Sequence, residues 1–229
     1  MIRRIEPTSF FKIAADCLSE RGWQCRSSDD VLTCVQGLEQ GFEQVFTVQL
    51  VRERLSTMLS IIPRSGLIFG AFCELWARLH NQPVDHQFPV VVATGDVYTG
   101  SEAGYSLRLC EDDYRSVKRL EVFLTDSTSA ASKFLGTFAS VESLLKLSAE
   151  CPAMFNRLTV NGERVWWTLM LLAGRGFEIR AVVNDARNQL MALAPYPGEE
   201  LDQMFLRNLA AEIDKPTGVN SQKSDFSLQ

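Results

Sequence analysis

The stretch from Leu158 to Ala194, LTVNGERVWWTLMLLAGRGFEIRAVVNDARNQLMALA, constrains the fold most, being apolar between strong turn signals. Asn161-Gly162 suits a two-residue type I′ turn, where both positions need positive φ. Gly174-Arg175-Gly176 and Asn184-Asp185-Ala186-Arg187-Asn188 can close two further hairpins. Phe177, Ile179, Ala181 and Val183 share one face at period two, with Glu178 and Arg180 on the other. The expectation is an antiparallel meander in which Trp166 and Trp167 point to opposite faces of one strand.

Upstream, Phe10, Ile13, Ala14, Cys17 and Leu18 recur at helical spacing, and Gly22 is placed to end that helix. Between Trp23 and Ile62 the pattern turns to strands. Phe42, Gln44, Phe46, Val48 and Leu50 alternate with Glu43, Val45, Thr47 and Gln49, and a run from Leu55 to Ile62 stops at Pro63. A second helix is expected over 66–80. Ile68, Phe72, Leu75, Trp76 and Leu79 form its stripe, and only Glu74 and Arg78 are clearly polar. A helix so apolar needs cover on two sides, from the rest of the chain or from a second copy.

Strands follow over 88–94, 105–110 and 120–124, then a helical region from Asp126 to Pro152. Gly198 to Asp214 reads as an amphipathic helix, with Leu201, Met204, Phe205, Leu209 and Ile213 on one face and acids in its first turn. Residues 215–229 are polar and aperiodic, which predicts a disordered tail. The fold class expected is α+β, with antiparallel meanders and helices packed on one face. It divides into an N-terminal half (1–125) and a C-terminal half (126–214) that can be similar units.

A net charge of −5 with no basic cluster disfavours nucleic acid as a partner. No apolar run approaches the ~18 residues of a membrane span, and no secretory h-region follows the first residues. The six cysteines, at positions 17, 25, 34, 73, 110 and 151, show no zinc-ligand spacing. The expectation is six reduced thiols in a cytoplasmic protein.

Catalytic chemistry has three weak footholds. Gly95 to Glu102 copies the glycine spacing of a phosphate loop, but Ser101-Glu102 stands where lysine would reach the phosphates. His80 and His86 bracket Asp85 in one short connection, short of a convergent ligand set. Glu111-Asp112-Asp113 gathers three carboxylates at a strand end, a pattern typical of solvated turns. No serine or cysteine has a nucleophile's sequence context. No metal, cofactor or catalytic residue is expected.

The order helix (FFKIAADCLSERGW), antiparallel strands, long apolar helix (SGLIFGAFCELWARLHNQ), then more strands resembles the type III secretion chaperone-like fold, which includes the YbjN-like bacterial proteins. The resemblance covers about residues 8–125. It implies a non-enzymatic α+β module that binds proteins or peptides along its sheet or helices, often as a dimer. With the excess apolar surface of the second helix, it makes a chaperone, adaptor or inhibitor the expected function. Trp76, Trp166 and Trp167 are the binding candidates, with another protein, a peptide or a second copy as partner. The alternatives are a small-molecule sensor, or an enzyme using the 80–86 loop or the 111–113 acids.

Overall fold

The computed structural model describes residues 7–28, 30–38, 41–52, 58–101, 105–110, 115–193 and 195–215. Helix α1 (Pro7–Ser19) leads into four strands, β1 (Gln24–Ser28), β2 (Val31–Gly37), β3 (Phe42–Arg52) and β4 (Met58–Phe69). Each pairs antiparallel with the next. Helix α2 (Gly70–His80) follows, then β5 (Val91–Thr94), the short α3 (Gly95–Thr99) and β6 (Leu107–Cys110). Strands β5 and β6 both pair with β4, one beside its C-terminal half and one beside its N-terminal half. The chain continues as α4 (Arg115–Gly136), α5 (Val141–Glu150), α6 (Pro152–Leu158), α7 (Gly162–Leu172), α8 (Gly176–Ala192) and α9 (Glu199–Asp214). The class is α+β with an antiparallel sheet, as the sequence pattern predicts.

The alternation in β3 decides which side of the sheet is covered. Phe42, Gln44, Phe46, Val48 and Leu50 are buried, while Glu43 and Val51 on the other face are exposed. On the buried side, Phe10, Ala14 and Leu18 of α1 and Leu120 and Leu124 of α4 pack over Leu32, Phe46 and Ile61. Nearer α2, the same side of the sheet presents Phe42, Leu67, Val91 and Ala93 to a second cluster built from α2 and α4–α9. A polar seam crosses this interface. Gln44, fully buried, donates to Ser65 Oγ at 3.0 Å and accepts from Ser132 Oγ of α4 at 2.8 Å.

Several expectations are corrected. The 158–194 meander is the helical hairpin α7–α8. Asn161 does not turn a hairpin but caps α7, its side chain accepting from Arg164 N at 3.2 Å. Gly174, at φ +71°, lies in the break between α7 and α8, where a left-handed residue ends one helix and redirects the chain. The period-two face fails on burial, since Phe177 is 70% exposed while Ile179 and Val183, four apart, are buried. Leu120–Leu124 is helical within α4, which also runs through position 126, and Ser140 caps α5 in a box with Ser143. The strand expected to stop at Pro63 continues to Phe69, so α2 starts at Gly70 rather than Gly66. Pro63 is accommodated without a break in the register, opposite Val48.

The expectation of six reduced thiols is also overturned. Register sets Cys25 of β1 opposite Cys34 of β2, and the two sulfurs are bonded across the hairpin. Cys17, Cys73 and Cys151 are free. The tail from 216 onward, the Glu111–Asp113 acids and Glu102 lie outside the described residues. Among the described residues, no helix is long and apolar enough to cross a membrane.

Candidate functional site

Trp76 and Trp167 meet through Phe205, while Trp166 points elsewhere. Trp76, on α2, lies between the rings of Phe72 (5.4 Å), Phe88 (5.2 Å) and His80 (4.2 Å). Phe205 of α9, fully buried, sits 6.4 Å from Trp76, 4.7 Å from His80 and 6.1 Å from Trp167. Trp166 and Trp167, on a helix rather than a strand, cannot point in opposite directions. Trp167 is 4% exposed, whereas Trp166 lines a shallow depression with Pro152, Phe155 and Glu163. The second cover of α2 is therefore the chain's own α7 and α9. Asn208 of α9 donates to Leu79 O at 3.0 Å, where α2 ends and its last carbonyls lack helical partners.

Charged groups close the same junction. His80 Nδ1–H donates to Trp76 O at 2.9 Å, which leaves Nε2 to accept from the Arg164 guanidinium at 3.2 Å. Arg164 also pairs with Asp202 and lies 4.7 Å above the Phe205 ring. The second oxygen of Asp202 accepts from Tyr196 at 2.5 Å, and that donation pushes the phenol up to about 12. Burial holds the His80 imidazole below its ordinary range, and the Arg164 charge adds to this against the bond to Trp76 O. With both nitrogens of His80 and both oxygens of Asp202 engaged, the cluster works as a clasp joining α2, α7 and α9.

The clasp gives a pH prediction. A histidine whose folded-state pKa is depressed stabilises the fold in its neutral form. That contribution is fully present above about pH 6.5 and is lost as pH falls below that value towards the folded pKa. Arg164 would then face an imidazolium. Thermal melts between pH 8 and pH 5 should show the wild-type chain losing more stability than His80→Gln, whose amide oxygen can accept from Arg164 without titrating. Parallel pH profiles would remove His80 from this role.

Beside the clasp, α7, α8 and α9 enclose a cleft of about 370 Å³. Trp167, Leu190, Phe205 and Leu206 line it with Glu163, Arg164 and Asp202. The buried indole N–H of Trp167 has no hydrogen-bond partner among the described residues.

A different surface lies on the other side of the sheet. Register aligns Arg26, Thr33, Thr47, Arg64 and Thr94 in one row across β1 to β5. The next row is Gln24, Val35, Val45, Gly66 and Val92. None of these side chains belongs to either core cluster. All of them but Gln24 and Thr94 line a groove of about 290 Å³, bounded at one end by Gln87 and Pro89. Arg26 donates to Gln87 across that end. A Cβ at Gly66 would stand 2.6 Å from Val91 O and 3.2 Å from Pro89, so glycine is what lets this segment lie close on the sheet. A solvated antiparallel face ordinarily alternates to polar residues; here the outward residues are largely valine, threonine and isoleucine.

The remaining candidates separate. His80 is half-buried at the end of α2, His86 is exposed, and Asp85 accepts from Gln87 N at 2.9 Å. Gly95–Thr99 is a helical turn closed by Ser101 N donating to Asp96 O, and Asp96 pairs with Arg157 at 3.0 Å. No cluster of three metal-ligating side chains occurs among the described residues. Neither the groove nor the clasp was named from the sequence; the alternation in β3, which puts Val45 and Thr47 outward, was the signal for the groove. Compared with models of known protein families, with curated proteins and with solved structures, the chain has no match in any of the three.

Proposed function

We propose that the chain is a non-enzymatic protein-binding factor (a chaperone, adaptor or inhibitor) that holds a partner on the outward face of its sheet. One observation carries the reading: a groove of aliphatic, threonine and two arginine side chains crosses five strands, and among the described residues no helix is laid over it. Surfaces of this composition gain by excluding water, and a partner protein supplies the missing layer. Of the tryptophans proposed from the sequence, Trp76 and Trp167 pack about Phe205 between α2, α7 and α9, and Trp166 lines a surface depression. The setting proposed is the cytoplasm. In a reducing compartment the Cys25–Cys34 bond would stand open, with the thiols facing each other across the β1–β2 hairpin.

Val45→Gln tests the docking face, since it places a polar amide on the groove floor without changing charge. Quantitative affinity capture from the native host, wild type against variant, should yield at least one protein retained only by the wild type, with both chains equally folded by circular dichroism. Identical captured sets would overturn the reading.

A second reading has its own observation. The cleft between α7, α8 and α9, where Trp167, Leu190 and Phe205 stand beside Arg164 and Asp202, has room for a small polar ligand, which would make the chain a sensor.

A further inference from the structure

We infer that the outward groove takes an acidic, aliphatic polypeptide segment, its carboxylates held by Arg26 and Arg64 and its apolar side chains laid on Val35, Val45 and Val92. This rests on the docking reading above and adds the partner's chemistry to it.

The charges come first. Among the described residues, the groove lining contains two guanidiniums and no carboxylate. Among the described residues, Arg64 is exposed with no ion-pair partner, and the side-chain bond of Arg26 goes to the neutral amide of Gln87. Asp96, which follows Thr94 at the end of the row, is taken by Arg157. Two cations on a chain of net charge −5 thus stand on an apolar floor without a counter-charge among the described residues. An arginine fork is well matched to a carboxylate, in geometry as well as sign.

Spacing comes second. Arg26 and Arg64 occupy the same cross-strand row with Thr33 and Thr47 between them. Three inter-strand steps of about 4.8 Å separate their backbones by roughly 14 Å. An extended segment crossing the strands rises about 3.3 Å per residue, so residues i and i+4 span about 13 Å and point the same way. Carboxylates four apart can reach both guanidiniums, while i+1 and i+3 turn towards the parallel valine row. The hydroxyls of Thr33 and Thr47 lie beneath the central residue as hydrogen-bonding groups.

The alternatives fit less well. Single-stranded nucleic acid calls for aromatic stacking surfaces and a longer track of cations, and among the described residues no aromatic one lines this groove. A polybasic segment would meet two like charges.

A phage-displayed library of random dodecapeptides, panned on the full chain, tests the inference. Enriched peptides are synthesised and measured by fluorescence anisotropy against wild type, Arg26→Glu/Arg64→Glu and Val45→Gln, each checked for native circular dichroism. The expected peptides combine Asp or Glu four residues apart with Val, Ile or Leu between. They should weaken about tenfold or more on the charge-reversed variant, with wild-type binding falling as salt rises. Peptides that lose binding on Val45→Gln but ignore the charge reversal would leave the docking face standing and overturn its acidic preference. A panel with no peptide sensitive to Val45→Gln would remove both. A 20-nucleotide oligothymidine that binds wild type, and is lost on charge reversal, would reassign the groove to nucleic acid and overturn the proposal.

Discussion

Phe205→Ala is expected to destabilise the chain by about 3–5 kcal/mol, the range for removing a fully buried aromatic side chain. Phe205 is the hub of the helical junction, flanked by Trp76, His80 and Trp167 and capped by Arg164. Truncation leaves a cavity between α2, α7 and α9 and takes the aromatic face away from a partly buried guanidinium. Phe205→Leu should cost less, because it keeps most of the apolar bulk. Urea denaturation followed by tryptophan fluorescence reads the change directly, since Trp76 and Trp167 both report on the junction. A loss under about 1 kcal/mol for the alanine variant would mean the junction collapses onto the gap, and that Phe205 is not its hub.

Gln44→Leu is expected to cost about 1–3 kcal/mol despite gaining apolar surface. Gln44 joins β3 to α4 where the two hydrophobic clusters meet, and its amide uses both ends, towards Ser65 and towards Ser132. Leucine strips Ser132 of its acceptor, whereas Ser65 keeps its bond to Val45 O at 2.9 Å. Adding Ser132→Ala to Gln44→Leu should recover most of the loss, because replacing both partners avoids an orphaned hydroxyl. Denaturation midpoints of the two single variants and the double variant complete the cycle. Strictly additive losses would show that the seam is two independent contacts and not one bond.

The sheet was legible where charge and hydrophobicity alternate. In β3 the polar positions fall so regularly that only one register buries Phe42, Phe46 and Val48, and the structure has that register. Helix α9 was legible for the corresponding reason, with acids in its first turn and a stripe of Phe205 and Leu209; Leu201, assigned to that stripe, is 57% exposed at the helix start. The α7–α8 region misled because VWWTLMLL is apolar at every spacing, so neither period two nor period 3.6 stands out. Asn161-Gly162 then tipped the balance, although asparagine caps helices as readily as it turns hairpins. The groove and the clasp depend on pairings that no local pattern carries. Arg26 and Arg64 share a row only through three successive strand registers, and His80 meets Arg164 across 84 positions. The Cys25–Cys34 bond was closer to hand, since the two residues flank one turn, but it required β1, which the sequence pattern did not mark.

The strands from β1 to β4 each pair with a neighbour in sequence, so they close short loops, whereas the bond from Asn208 to Leu79 spans 129 positions. A ribosome adding about 5–20 residues per second completes α2 roughly 7–27 seconds before it completes α9. Throughout that interval Phe72, Leu75 and Leu79 lack the last helix of their cover, although the sheet beside them is already fully synthesised through β4. The period in which this apolar helix stands open to other chains is therefore set by the speed of translation and the length of chain still to come.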